Sequence, residues 1–131
     1  MITRVELRKI ARERLKDAEA LFNAGRYDGA VYLSGYAIEL ALKNRICKTL
    51  KWSGFPQTRS EFQPFQSFKT HNLDVLLSLS GLESKIKTAY LAEWSAIAKW
   101  DPEARYNPIG SAGKKDAELL IEAVKKLLGV L

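Results

Sequence analysis

The sequence predicts an all-α protein, an up-and-down helical bundle of four main helices with one additional short helix. Three observations support this fold class. Apolar residues recur at helical spacing in several segments, no segment alternates convincingly with a period of two, and the stretch Tyr27–Lys43 is apolar nearly all the way round a helix. A helix without a polar face is normally the buried centre of a bundle or of a dimer. We therefore expect no β-sheet.

The size and composition of the chain favour one soluble domain over residues 1–131. The chain has 131 residues, of which 47% are hydrophobic, enough for a real core. The longest nearly apolar run, from Gly29 to Leu42, is too short to cross a membrane, and the charged N-terminal segment lacks the apolar core of a signal peptide. We therefore expect a cytoplasmic protein. The single cysteine, Cys47, excludes an intramolecular disulfide, and its place in a buried helix predicts an inert packing role.

The first two helices are predicted to form an antiparallel pair. The first is expected over Arg4–Ala24, and Thr3 with Glu6 fits a capping box at its start. Gly25 provides a stop, and only a tight turn remains before the second helix, Tyr27–Leu50.

The rest of the chain is predicted to alternate between loops and helices. Two prolines and a glycine make a continuous helix improbable over Lys51–Thr70. A short helix is expected over Asn72–Leu79, a longer one over Glu83–Lys99 and a last one over Lys114–Leu128, with a second loop over Asp101–Gly113 before it.

The charge distribution leaves two interpretations open. The net charge is +6, and the segment Lys43–Lys69 carries six basic residues against the single acid Glu61. Such a segment is either a solvated surface or a patch that faces phosphates. The aromatic residues of the same loop, with Arg59, could stack single-stranded bases or could dock on the bundle. We favour docking, because a bare loop rich in phenylalanine is an aggregation hazard.

Glu39 is the first candidate site residue, because it is the only charged residue between Gly29 and Leu42. A lone buried carboxylate is costly unless it is paired or hydrogen-bonded. It could accept hydrogen bonds from a ligand or from Arg105. Alternatively it forms a structural ion pair with Lys43, one helical turn further on.

Three further polar residues are candidates for binding. Arg105, beside Tyr106, stands in a loop before a helix, where a guanidinium can hold phosphate bidentately and helix amides add donors. The alternative is an arginine that only anchors the loop. His71 precedes a helix, and it either caps that helix or anchors the loop, or it belongs to a site; as the only histidine it makes a poor metal site. We expect no metal and no cofactor.

The segment GRYDGAVYLSGYAIELALKNRI, which begins at Gly25, resembles the HEPN family, the nucleotide-binding helical domains of higher eukaryotes and prokaryotes. His71-Asn72-Leu73 and Arg105-Tyr106-Asn107-Pro108 resemble two further elements of the family, in the same order. The resemblance implies a helical bundle that is commonly a homodimer. Many members carry an Arg followed four to six residues later by His and act as metal-independent ribonucleases. No histidine follows Arg105 here.

The resulting expectation is a non-catalytic HEPN-like module, a homodimer that binds nucleotide, RNA or another anionic ligand. A separately encoded nucleotidyltransferase is the candidate partner. The binding residues expected are Glu39, Lys43, Arg105, Tyr106 and His71, and none is assigned a catalytic role. The alternative is a divergent metal-independent ribonuclease of the toxin type found in toxin–antitoxin pairs. Arg105 would then stabilise transition-state charge, with Glu39, Tyr106 or His71 as acid or base.

Overall fold

A computed structural model describes residues 1–131 and confirms the all-α class. The seven α-helices are α1 Arg4–Asn23, α2 Tyr27–Leu50, α3 Arg59–Phe62, α4 Leu73–Ser80, α5 Glu83–Ala89, α6 Leu91–Ile97 and α7 Lys114–Leu128. Two 3₁₀ segments cover Gln63–Phe68 and Pro102–Tyr106. No helix combines the length and the apolar character that crossing a bilayer requires.

The antiparallel pair of α1 and α2 forms as predicted. The Thr3 hydroxyl accepts a hydrogen bond from the Glu6 amide while the Glu6 carboxylate accepts one from the Thr3 amide, which completes the capping box. Gly25 adopts a φ of +76°, the left-handed conformation that allows the tight reversal. α2 packs against α1, α4 and α7, and is the centre of the core. Cys47 is fully buried, and this burial raises the pKa of its thiol.

The expectation of no sheet is wrong in one detail. The strands β1, Ile2–Thr3, and β2, Gly54–Phe55, pair antiparallel, with Ile2 opposite Phe55 and Thr3 opposite Gly54. Two residues are too few to show a period of two, so nothing in the sequence pattern could indicate this ladder. It fixes the chain after α2 against the start of α1.

The predicted helix Glu83–Lys99 is also wrong, because it is two helices. Tyr90 has a φ of −130° and a ψ of 36°, which interrupts the helix between α5 and α6. The interruption changes the direction of the chain. As a result, α5 packs on α4 whereas α6 packs on α7. A hydrogen bond of 3.0 Å from Trp94 Nε1 to Asp74 and an ion pair of 2.8 Å between Glu93 and Lys126 hold α6 in its new direction.

The loop after α2 is more ordered than predicted. It contains α3 and a 3₁₀ segment, and its aromatic side chains pack on one another and on the bundle. The ring of Trp52 lies 4.9 Å from that of Phe65 and 5.0 Å from that of Phe68, while Phe55 and Phe62 are buried. The docked arrangement is therefore confirmed, and these rings have their faces occupied by each other.

Candidate functional site

Glu39 is buried in the middle of α2 and is fully partnered. Its side chain is 3% exposed and accepts a hydrogen bond of 3.0 Å from Lys43 Nζ, one turn further along the same helix. His71 Nδ1 lies 3.2 Å from each carboxylate oxygen. The Lys43 ammonium also sits 5.3 Å from the centre of the Phe55 ring. Three of the five predicted site residues are thus one ion cluster, which we call the Glu39 cluster.

His71 anchors the start of α4 rather than capping it. The cap is Asn72, whose Oδ1 accepts a hydrogen bond from the Val75 amide at 3.1 Å. The His71 side chain is 68% exposed while one of its ring nitrogens reaches the buried Glu39. It therefore connects the surface to the cluster and leaves the rest of its ring open to solvent.

Arg105 lies in a different place, in the 3₁₀ segment that precedes α7. Its guanidinium carbon is 4.8 Å from the centre of the Tyr106 ring, and hydrogen bonds with the hydroxyls of Tyr106 and Tyr32 raise its pKa. It borders a cavity of about 650 Å³, whose walls include Asp28, Tyr32, Lys99, Trp100, Arg105 and Asp116. We call this space the Arg105 cavity. Neither Glu39 nor His71 lines it.

Asp28 closes the Arg105 cavity on the side of α2. Its two carboxylate oxygens accept hydrogen bonds from the backbone amides of Gly110 at 2.7 Å and Ala112 at 2.9 Å. These two bonds lower the pKa of Asp28 and tie the loop before α7 to the start of α2. The partner amides are more than eighty residues away along the chain, so sequence reasoning missed Asp28 as a residue of the site.

Trp100 forms the floor of the cavity by lying directly on the α2 backbone. A Cβ atom added at Gly35 would be 2.0 Å from the indole, so the side chain fits only because residue 35 is glycine. The Trp100 ring centre is 6.2 Å from that of Tyr32, which makes a two-ring apolar surface inside the cavity.

The Arg105 cavity is lined by two cations, Lys99 and Arg105, and by two carboxylates, Asp28 and Asp116, and the two sets are held differently. Both Asp28 oxygens are used by backbone amides, and Asp116 accepts a hydrogen bond of 3.3 Å from the Gly113 amide. Lys99 and Arg105 have no carboxylate within ion-pair distance. An anion with a flat apolar part would therefore find two cations that have no carboxylate partner beside two aromatic rings.

The Glu39 cluster and the Arg105 cavity are neighbours on one helix but are not one cleft. Tyr32 and Glu39 are seven residues apart, which places them on the same face of α2 and about 10 Å apart along its axis. Each is covered by its own segment, Glu39 by His71 and Tyr32 by Trp100. Three of the predicted site residues, Glu39, Lys43 and His71, are in contact through Glu39. The other two, Arg105 and Tyr106, lie together in a different place.

The fold and this geometry define an all-helical domain built on an antiparallel helix pair whose second helix supplies the polar groups. The model of the HEPN domain family matches residues 5–58, which cover nearly all of α1, the whole of α2 and the chain as far as the cap of α3. The resemblance to the HEPN family is therefore confirmed for this part of the chain, which contains Asp28, Tyr32, Glu39 and Lys43. No curated protein and no solved structure matches the chain.

Proposed function

We propose that the protein is a non-catalytic HEPN module that binds a nucleotide, or the terminal nucleotide of an RNA, in the Arg105 cavity. The observation that carries this proposal is that two cations without an ion-pair partner, Lys99 and Arg105, lie beside an aromatic floor. Arg105 and Lys99 would hold the phosphate, the guanidinium bidentately. Tyr32 and Trp100 offer apolar ring surface to the base, and about 650 Å³ suits a ligand of nucleotide size.

Binding is favoured over cleavage by the separation of the polar groups. General acid–base chemistry needs its proton-transfer group within hydrogen-bond reach of the substrate. His71 is bonded to Glu39 and neither residue lines the Arg105 cavity, so the two residues expected as acid or base do not lie beside Arg105. The ribonuclease alternative would need Tyr106 or one of the cavity carboxylates as its acid or base, and both oxygens of Asp28 already accept backbone hydrogen bonds.

The homodimer is part of the proposal, and exposed apolar side chains at the rim of the cavity support it. Tyr106 is 71% exposed, Leu119 is 54% exposed and Ile109 is completely exposed. Two of these residues also line the Arg105 cavity. A second copy seated on this rim would cover them and would close the cavity on its open side. A nucleotidyltransferase is the candidate for a further partner.

The decisive test compares ligand binding by Arg105→Gln and by a matched control, Arg59→Gln. Arg59 is also exposed and also lacks an ion-pair partner, but it lies outside the cavity. Adenosine monophosphate, adenosine and inorganic phosphate would be titrated calorimetrically. We expect the monophosphate to bind best, and Arg105→Gln alone to weaken it about tenfold or more, the usual range for a charge-assisted contact.

Two results would contradict the proposal. Equal losses in Arg105→Gln and Arg59→Gln would show a general charge effect instead of a site. Cleavage of total RNA by the wild-type protein that disappears in Arg105→Ala would identify the protein as a ribonuclease in spite of the missing histidine.

A further inference from the structure

A second cationic surface lies on the other side of the α1–α2 pair. Arg4, Arg8 and Arg12 follow one another every four residues on α1, and α2 brings Arg45 and Lys48 to face them. These five residues line a groove of about 290 Å³, and no aspartate or glutamate lines it. We call it the basic groove. Arg4 Nε donates a hydrogen bond of 3.3 Å to Asn44 on α2, which sets the register of the two walls.

The cations of the basic groove have no acidic side chain as a partner. None of the five takes part in an ion pair, although the chain forms pairs elsewhere on α1, such as Arg14 with Asp17. The Nε atom of Arg45 is buried and has no hydrogen-bond partner. Clustered like charges repel one another and cost folding stability. An anion from outside the chain would reduce this repulsion.

The basic groove is separate from the Arg105 cavity. Arg45 follows Tyr32 by thirteen residues on α2, which amounts to about 20 Å along the axis and a rotation of about 220°. The two surfaces therefore face opposite sides of the central helix, and no residue lines both.

We propose that the basic groove binds the phosphodiester backbone of a nucleic-acid strand without reading its sequence. The arginines of α1 repeat about every 6 Å along the helix axis. A row of evenly spaced cations matches a ligand whose anions recur regularly, and a phosphodiester strand carries one charge per nucleotide whatever its sequence. A guanidinium fork pairs with two phosphate oxygens at once, which suits four arginines in one groove.

The lining of the groove also indicates which part of the strand it contacts. No aromatic side chain lines it, so it lacks the stacking platforms on which proteins hold unpaired bases. Its other residues are small or aliphatic apart from Asn44. Contacts to phosphate fix the position of a strand and carry no direct sequence information. An acidic peptide would need an unusual run of carboxylates to follow the same row.

The test measures the affinity of short labelled strands of oligouridylate and of mixed-sequence RNA by fluorescence anisotropy over a range of salt concentrations. The variant combines Arg4→Gln, Arg8→Gln and Arg12→Gln, which keeps helix propensity nearly unchanged. The control neutralises three exposed lysines outside the groove, Lys69→Gln, Lys85→Gln and Lys115→Gln. Thermal unfolding of both triple variants checks that each remains folded.

We expect equal affinity for the two sequences and a linear fall of log affinity with log salt. The arginine variant should bind roughly tenfold more weakly or worse, and its salt slope should be smaller in magnitude by about 2, since each phosphate contact to a single strand contributes about 0.7. The lysine control should keep most of the affinity and slope. A peptide nucleic acid of the same sequence, whose backbone is uncharged, should not bind.

Three outcomes would overturn the proposal. The lysine control could lose as much as the arginine variant, the peptide nucleic acid could bind as well as RNA, or polyglutamate could bind with the same dependence on the three arginines. The last result would assign the groove to an acidic protein segment. Mononucleotide binding that depends on Arg105 is a separate measurement, so either proposal can fail while the other stands.

Discussion

The Nδ1 atom of His71 lies 3.2 Å from both carboxylate oxygens of Glu39, and this contact joins the start of α4 to the centre of the bundle. Lys43 completes the Glu39 cluster from within α2. The glutamate is buried while the histidine is two thirds exposed, so the carboxylate is held by one partner from the core and by one from the surface.

The Glu39 cluster predicts a clear effect on stability. Glu39→Gln should lower the free energy of unfolding by about 1–3 kcal/mol, because Lys43, only 15% exposed, loses its charged partner. The chain contains a matched control, since Glu83 and Lys87 have the same spacing but are both 45% exposed. Glu83→Gln should change the free energy by no more than about 0.5 kcal/mol. Urea denaturation of both variants checks this, and equal effects would contradict a buried ion cluster.

The contact between Gly35 and Trp100 predicts that a substitution that usually favours helices is harmful here. Gly35→Ala should cost about 1–3 kcal/mol, since the added methyl overlaps the indole. In a Trp100→Ala background the same change should stabilise α2, by up to about 1 kcal/mol, because alanine is the better helix former. Denaturation of the four proteins forms a double-mutant cycle. A destabilising effect of similar size in both backgrounds would show that the indole is not the cause.

The bonds from Asp28 to the loop before α7 predict a dependence on pH. Asp28 has a lowered pKa in the folded protein, so it adds stability above its unfolded pKa of about 3.9, and this contribution is lost as the pH falls through the folded value. The melting temperature of Asp28→Asn should therefore lie below that of the wild type at neutral pH, and the gap should shrink on acidification. A gap that stays constant to the most acidic condition would contradict the role of the ionised carboxylate.

The proposed homodimer predicts that charge at the rim of the Arg105 cavity will separate the copies. Ile109→Lys combined with Leu119→Lys should produce a monomer by light scattering at micromolar concentration, because both side chains are exposed and would repel their symmetry mates. Leu91→Lys is the control, since Leu91 is 59% exposed but does not line the cavity. A wild-type protein that is already monomeric would rule out the dimer at once.

Local patterns were enough to predict the α1–α2 pair but not the irregular segments. The capping box of α1, the stop at Gly25 and the apolar spacing were enough to predict the observed bounds of α2, Tyr27–Leu50, because these signals are local. The break at Tyr90 is different, since the sequence there keeps helical spacing and the interruption comes from packing on α4 and α7. Sequence patterns within one segment do not show when tertiary packing will override local helix preference.

In the candidate site, too, contacts between residues close in sequence could be predicted, whereas contacts between distant residues could not. The pair of Glu39 and Lys43 could be read from a spacing of four residues, whereas Asp28 meets its partner amides across more than eighty residues. The arginine row on α1 was visible in the sequence as a repeat of four, yet only the position of Arg45 on the facing helix turns that row into a groove. A repeat on one helix is ordinary surface until tertiary structure supplies the opposite wall.

The Arg105 cavity draws its walls from the first turns of α2 and from the last third of the chain, with Asp28 as the link between them. Neither segment encloses the cavity alone, so the cavity exists only in molecules in which the two segments are packed together. Any ligand that occupies it must then raise the temperature of global unfolding in proportion to the logarithm of its concentration. Thermal shift is therefore a direct way to search for that ligand, and a fragment truncated before α7 should give no response.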